Sequence, residues 1–122
     1  MQENDNTKST TTEEATKQKI SRLNDGLRQG QGVNGEIMLT SGIHGQGQEF
    51  VTEVAKAVAE FDAFSEDIDP HQEHDFGSLE VQGQKIFFKL DYYDLDLKMH
   101  SPDPSDPAVT KRVLTIMLAE EY

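Results

Sequence analysis

The 122 residues include no cysteine, which excludes disulfides, thiolate metal sites and a cysteine nucleophile. No apolar run approaches the roughly 18 residues needed to cross a bilayer, and no membrane association is expected. The opening M-Q-E-N-D-N-T-K-S-T-T-T has no hydrophobic stretch of the secretory kind, so the expected location is cytoplasmic. Basic side chains are scarce: 11 Lys and Arg stand against 23 Asp and Glu, a net charge of −12. The shortage is uneven. Residues 1–30 carry five charges of each sign, whereas 31–122 carry six basic and eighteen acidic side chains. An acidic field of that size repels phosphate backbones, so direct nucleic-acid binding is not expected. Attraction to a basic protein surface, including one that normally holds nucleic acid, is the matching expectation. The G-x-S-x-G, H-E-x-x-H and P-loop signatures are also missing, and no serine stands in a context that marks a nucleophile.

One domain's worth of chain remains, with 34% hydrophobic residues and a mean hydropathy of −0.67. Residues 1–12 are polar throughout after Met1 and read as a disordered tail, leaving 13–122 as a single domain. Thr11 and Glu14 form a capping-box pattern, and Ile20, Leu23 and Leu27 then recur on one helical face until Gly30-Gln31-Gly32. The stripe is narrow, which predicts a helix lying on the domain surface or packing on a partner. Glu36–Ile43 reads as a strand with Ile37 and Leu39 on one face. Phe50, Val54, Ala57, Val58 and Phe61 define an amphipathic helix, with Glu49, Glu53, Lys56 and Glu60 on its other side. A loop over Ser65–Asp75 leads to a hairpin turning at Gln82-Gly83, with Ile86, Phe88 and Leu90 inward. Alternation resumes at Leu95, Leu97 and Met99, as a continuing or bent strand. The run V-L-T-I-M-L-A reads as a helical turn after Pro107 followed by a strand. The expected fold is α+β: a small, mostly antiparallel sheet of about four strands, with one amphipathic helix packed on it and an N-terminal helix.

Three places carry candidate chemistry. Thr40–Phe50 has the strand, glycine-rich turn and helix layout of phosphate-binding loops, but neither the dinucleotide nor the Walker spacing. The stretch D-P-H-Q-E-H-D-F-G, Asp69–Gly77, concentrates His71, Glu73, His74 and Asp75. As metal ligands, His71, His74 and Asp75 suit a divalent ion, with His44 or His100 completing the set, and a carboxylate beside a histidine also suits acid/base work. The bland alternative is a turn in which Asp75 or His74 bonds backbone and Phe76 plugs the core. The third place is Asp91-Tyr92-Tyr93-Asp94, where one Asp–Tyr pair faces the core and the other is exposed or lines a groove. Exposed tyrosine among carboxylates suits recognition of arginine-rich partners.

Taken together, D-P-H-Q-E-H-D-F-G, F-F-K-L-D-Y-Y-D and D-P-S-D-P-A-V-T-K-R-V-L-T-I-M-L-A-E-E-Y resemble a family of small bacterial proteins known as domain of unknown function 3768. The resemblance spans about Ile20 to Tyr122, and the spacing from Asn24-Asp25 through Arg28 to the first strand also fits. It carries over no activity or catalytic residue. It implies a context on plasmids and other mobile elements, which often carry small acidic proteins that shield them from host defences.

Three expectations follow. The first is a protein-binding module whose acidic and aromatic surface meets a basic groove, acting as an anti-CRISPR or antirestriction type of inhibitor and needing no cofactor. Its surface comprises Glu60, Asp62, Glu66, Asp67, Asp69, Glu73, Asp75, Asp91, Tyr92, Tyr93 and Asp94. The second is a metal-dependent or acid/base enzyme at the His71–His74 loop. The third is a homodimer built through the C-terminal strand or the first helix.

Overall fold

Strand and helix periods divide the chain as their apolar patterns require. The computed structural model describes residues 2–122, with side chains from residue 12 onward. Helix α1 spans Gln2–Arg28, strand β1 Glu36–Leu39, the one-turn helix α2 Ser41–His44 and helix α3 Gln48–Glu60. Strands β2 (Phe76–Val81), β3 (Gln84–Tyr93) and β4 (Lys111–Leu118) follow, and a 3₁₀ turn at Ala119–Glu121 ends the chain. The side chains of residues 1–11, which cover most of the expected tail and include the Thr11 cap, lie outside the described ones, while the backbone is helical from Gln2.

Among the described residues the sheet has four strands in the order β1-β4-β3-β2, with β1 parallel to β4 and the other pairs antiparallel. The fold is α+β. Ile86, Phe88, Leu90 and Tyr92 of β3 lie opposite Leu118, Ile116, Leu114 and Arg112 of β4, and this face is buried. Phe50, Val54 and Val58 of α3, at i, i+4 and i+8, cover it, and Ile20 and Leu27 of α1 join the same core. The first helix therefore packs on its own domain. Arg28, 5% exposed, donates from one guanidinium nitrogen to the carbonyls of Val58 (2.7 Å), Ala59 (3.1 Å) and Phe61 (2.8 Å). A cation thus caps the C-terminal end of α3, where unpaired carbonyls collect negative partial charge.

The hairpin turn at Gln82-Gly83 forms as expected, with φ of 52° and 76°. Positive φ at both central residues matches the twist of the flanking strands, and glycine at the second adopts it without a Cβ penalty.

Four local expectations are corrected. The first strand stops at Leu39, and Ser41–His44 turns into α2, which carries Ile43 fully into the core. Residues 107–109 make a turn, with Ala108 N–H bonded to the Asp106 side chain, so no helical turn precedes β4. Leu95, Leu97 and Met99 alternate at an exposed tip, where Asp94 N–H bonds Met99 O and Asp94 Oδ1 accepts Lys98 N–H. Phe76 does not plug the core. Period-two alternation places it on the opposite sheet face, against Phe87 at 5.2 Å and Tyr122 at 5.9 Å between ring centres.

Candidate functional site

The loop between α3 and β2 is a constructed turn. Asp69 is 4% exposed, and its Oδ1 accepts the backbone N–H groups of Glu73 (2.9 Å) and His74 (3.1 Å). A buried carboxylate accepting two N–H donors holds the chain in a shape that Gln72 and His74, with φ of 60° and 57°, do not adopt readily. Asp69 is therefore a structural anchor rather than part of an exposed acidic surface.

That turn brings two side chains back to α1. His74 Nδ1 lies 3.0 Å from both carboxylate oxygens of Asp25, and Asp25 Oδ1 also accepts from Arg28 at 2.6 Å. The His74 ring stacks on Phe64 with centres 4.0 Å apart and planes 2° from parallel. His71 is exposed. Among the described residues no group of three or more His, Asp or Glu side chains is placed to hold a metal ion.

Glu73 enters a second, deeper network. Buried Arg112 donates from Nε to Asn24 Oδ1 at 2.6 Å. Asn24, fully buried, donates to Tyr92 Oη at 2.8 Å and to the Glu73 carbonyl at 2.9 Å. Tyr92 then donates to Glu73 Oε1 at 2.9 Å. The guanidinium of Arg112 also lies 5.0 Å from the centre of the Tyr92 ring and bonds Pro104 O, which pulls the proline-rich loop over it. A cation and an anion too far apart to touch are joined through an amide and a phenol, and every link is a hydrogen bond. Burial pushes the Tyr92 hydroxyl well above its ordinary range, with the Glu73 carboxylate adding to the rise, so the phenol stays neutral. Burial also pulls the Arg112 guanidinium below its usual value.

Beside this network lies a cavity of about 280 Å³ lined by Asp75, Leu90, Asp91, Tyr92, Tyr93 and His100. It forms because two segments share one edge of β3 in tandem. Asp75, just before β2, accepts Leu90 N–H, whereas Ser101 donates to Tyr92 O and His100 bridges Tyr93. The interval between those segments is the opening. Burial, then the negative charges of Glu73 and Asp69, push the Asp75 carboxyl above its ordinary value.

A folded pKa above the unfolded one means that the native state binds the proton more tightly. Asp75 therefore contributes stability below its ordinary value of 3.8, and this is lost as pH rises through the raised value. Asp75→Asn is accordingly expected to make the protein more stable than the parent at neutral pH and to lose that advantage in acid. Urea melts at pH 3.5, 5 and 7 check this, and a constant difference across the series contradicts it.

The residues singled out in the sequence thus separate by environment. Glu60, Asp62, Glu66 and Asp67 are exposed; Asp91 pairs with Lys89 at 2.8 Å; Asp94 organises the 94–99 tip; Tyr92 is buried and Tyr93 half-buried. Asn24, Asp25, Arg28 and Arg112 were not picked out by sequence reasoning as parts of a site. The signal available for them was polar residues on the inward face of a helix and a single arginine opening an apolar strand.

Fold and site together define a small acidic α+β domain with a buried polar junction between its first helix, its acidic loop and its sheet. A family model described as a protein of unknown function, DUF3768, matches residues 39–121, and the chain belongs to that family. No curated protein and no solved structure matches the chain. Among the described residues no helix is long and apolar enough to cross a membrane.

Proposed function

We propose that the protein is a binding module that docks on a basic surface of another protein. The observation that carries this reading is the distribution of uncompensated charge. Between Glu60 and Asp75 there are seven acidic residues and no Lys or Arg. Glu60, Asp62, Glu66 and Asp67 are exposed, and among the described residues none of the four is in a salt bridge. Asp69 holds their loop in shape, so the charges are presented on an organised segment. Pre-ordering lowers the entropic cost of docking, and like charges held together raise the local potential.

In its most specific form the partner is a host defence complex of the CRISPR or restriction type. The acidic face competes there for a groove that normally holds nucleic acid, in a cytoplasmic setting and on behalf of a mobile element. The resemblance noted in the sequence and the excess of acidic side chains over residues 31–122 support that form. Replacing Glu60, Asp62, Glu66 and Asp67 together with their amides tests it. The parent is expected to co-purify with a nucleic-acid enzyme at about 50 mM salt and to lose it well before 500 mM, where screening is nearly complete. The fourfold variant is expected to be released at lower salt. Failure of the parent to bind any such complex at low ionic strength, or to protect phage or plasmid DNA in cells, overturns the reading.

A further inference from the structure

We propose that the cavity at the β3 edge is a receptor for a single arginine side chain of a protein partner. The inference rests on the docking reading above and assigns it a specific contact. Its first support is a contrast across Tyr92. On the helix side, Arg112, Asn24, Tyr92 and Glu73 are linked in that order by a chain of hydrogen bonds. On the cavity side, the Asp75 carboxylate is bonded by its own backbone N–H, and among the described residues it has no ion pair. The Tyr93 hydroxyl and the His100 ring nitrogens also make no hydrogen bond among the described residues, although both residues line the cavity. A carboxylate pushed upward by burial first and then by neighbouring anions sits in a place that a cation would relieve.

The second support is the shape and chemistry of the lining. Asp75, Leu90, Tyr92, Tyr93 and His100 line a space suited to one long side chain, and Asp91, which also lines it, is already paired with Lys89 at 2.8 Å. Arginine fits this better than lysine. Its planar fork pairs a carboxylate through two N–H groups, it stacks on aromatic faces, and it sheds water more readily than an ammonium. The chain handles its own arginines in this manner: Arg28 bonds Asp25 and lies 5.4 Å from the centre of the Phe64 ring, and Arg112 lies over Tyr92.

The test titrates the full chain, labelled with ¹⁵N, with N-acetyl-arginine amide and with N-acetyl-citrulline amide, which keeps the shape and lacks the charge. The arginine probe is expected to shift the amide resonances of Asp75, Asp91, Tyr93 and His100 saturably, with a millimolar Kd. The citrulline probe is expected to bind at least about tenfold more weakly, the worth of one charge-assisted contact. Asp75→Asn is expected to reduce arginine binding by about the same factor, while Glu80→Gln on β2 leaves it unchanged. Equal response to both probes, or no saturable shift at these four residues, overturns the proposal. A hexa-arginine peptide separates the two readings. If it binds in a salt-sensitive way but shifts only residues of the 60–67 segment, the arginine receptor fails and the acidic docking surface stands.

Discussion

Asn24→Leu is expected to destabilise the protein by about 3–5 kcal/mol, the range for stripping a partner from a buried charge. Leucine keeps the branched heavy-atom skeleton of asparagine but is larger, so no cavity accounts for the loss and crowding adds to it. What disappears is the amide that accepts from Arg112 and donates to Tyr92 and to the Glu73 carbonyl. Arg112, 1% exposed, then keeps its charge in the interior with one fewer acceptor. Removing both ends of the link is expected to cost less than the single change. Asn24→Leu combined with Arg112→Met replaces the buried ion by apolar volume, and such exchanges are often close to neutral. Urea denaturation of the parent, both single variants and the pair gives the coupling directly. Additive costs would show that Asn24 and Arg112 do not act as a unit. Because Asn24 stands on α1 and Arg112 on β4, the same experiment reports whether the first helix is energetically part of the domain.

The second large effect is expected at Gly77. It lies opposite Phe88 in the β2–β3 register, and the Phe88 ring folds over it. A Cβ added at Gly77 would overlap the Phe88 ring carbons Cε2 and Cζ. The ring has no room to yield. Phe88 is fully buried, with the Phe61 ring edge-on at 5.3 Å and the Phe64 ring at 6.3 Å. Overpacking of this kind costs about 1–3 kcal/mol, and the fixed ring puts Gly77→Ala at the upper end. A fall of roughly 4 °C in Tm per kcal/mol is expected for a domain of this size. Phe88→Leu in the Gly77→Ala background is expected to recover part of the loss despite removing core volume. If Gly77→Ala melts like the parent, the close approach of strand and ring is not what keeps glycine there.

Legibility in the sequence followed the range of the interactions. Helix α3 was readable because Phe50, Val54 and Val58 repeat at its own period, and the hairpin because Gln82-Gly83 sits between alternating runs. Both signals are local. The Leu95, Leu97 and Met99 alternation gave the same cue yet forms an exposed tip, since period-two spacing is also met where no neighbour strand is present. His71 and His74 looked like a chelating pair because spacing of three suits a helix. They lie in a turn with two left-handed residues, where the His74 ring meets Asp25 and Phe64 and His71 is exposed.

What the sequence alone determined was the α+β class, the order of its principal elements and the confinement of the charge imbalance to residues 31–122. These follow from residue type and short-range periodicity, which survive without knowledge of any partner. Tertiary structure alone decided which polar residues are satisfied and which are left open. Asn24, Glu73, Tyr92 and Arg112 are separated by up to 88 positions and meet only when α1 docks on the sheet. The cavity beside them exists because two separate segments stop short of each other along β3. Neither fact has a local signature, because a buried hydrogen bond and an uncovered strand edge are properties of chain segments brought together from a distance.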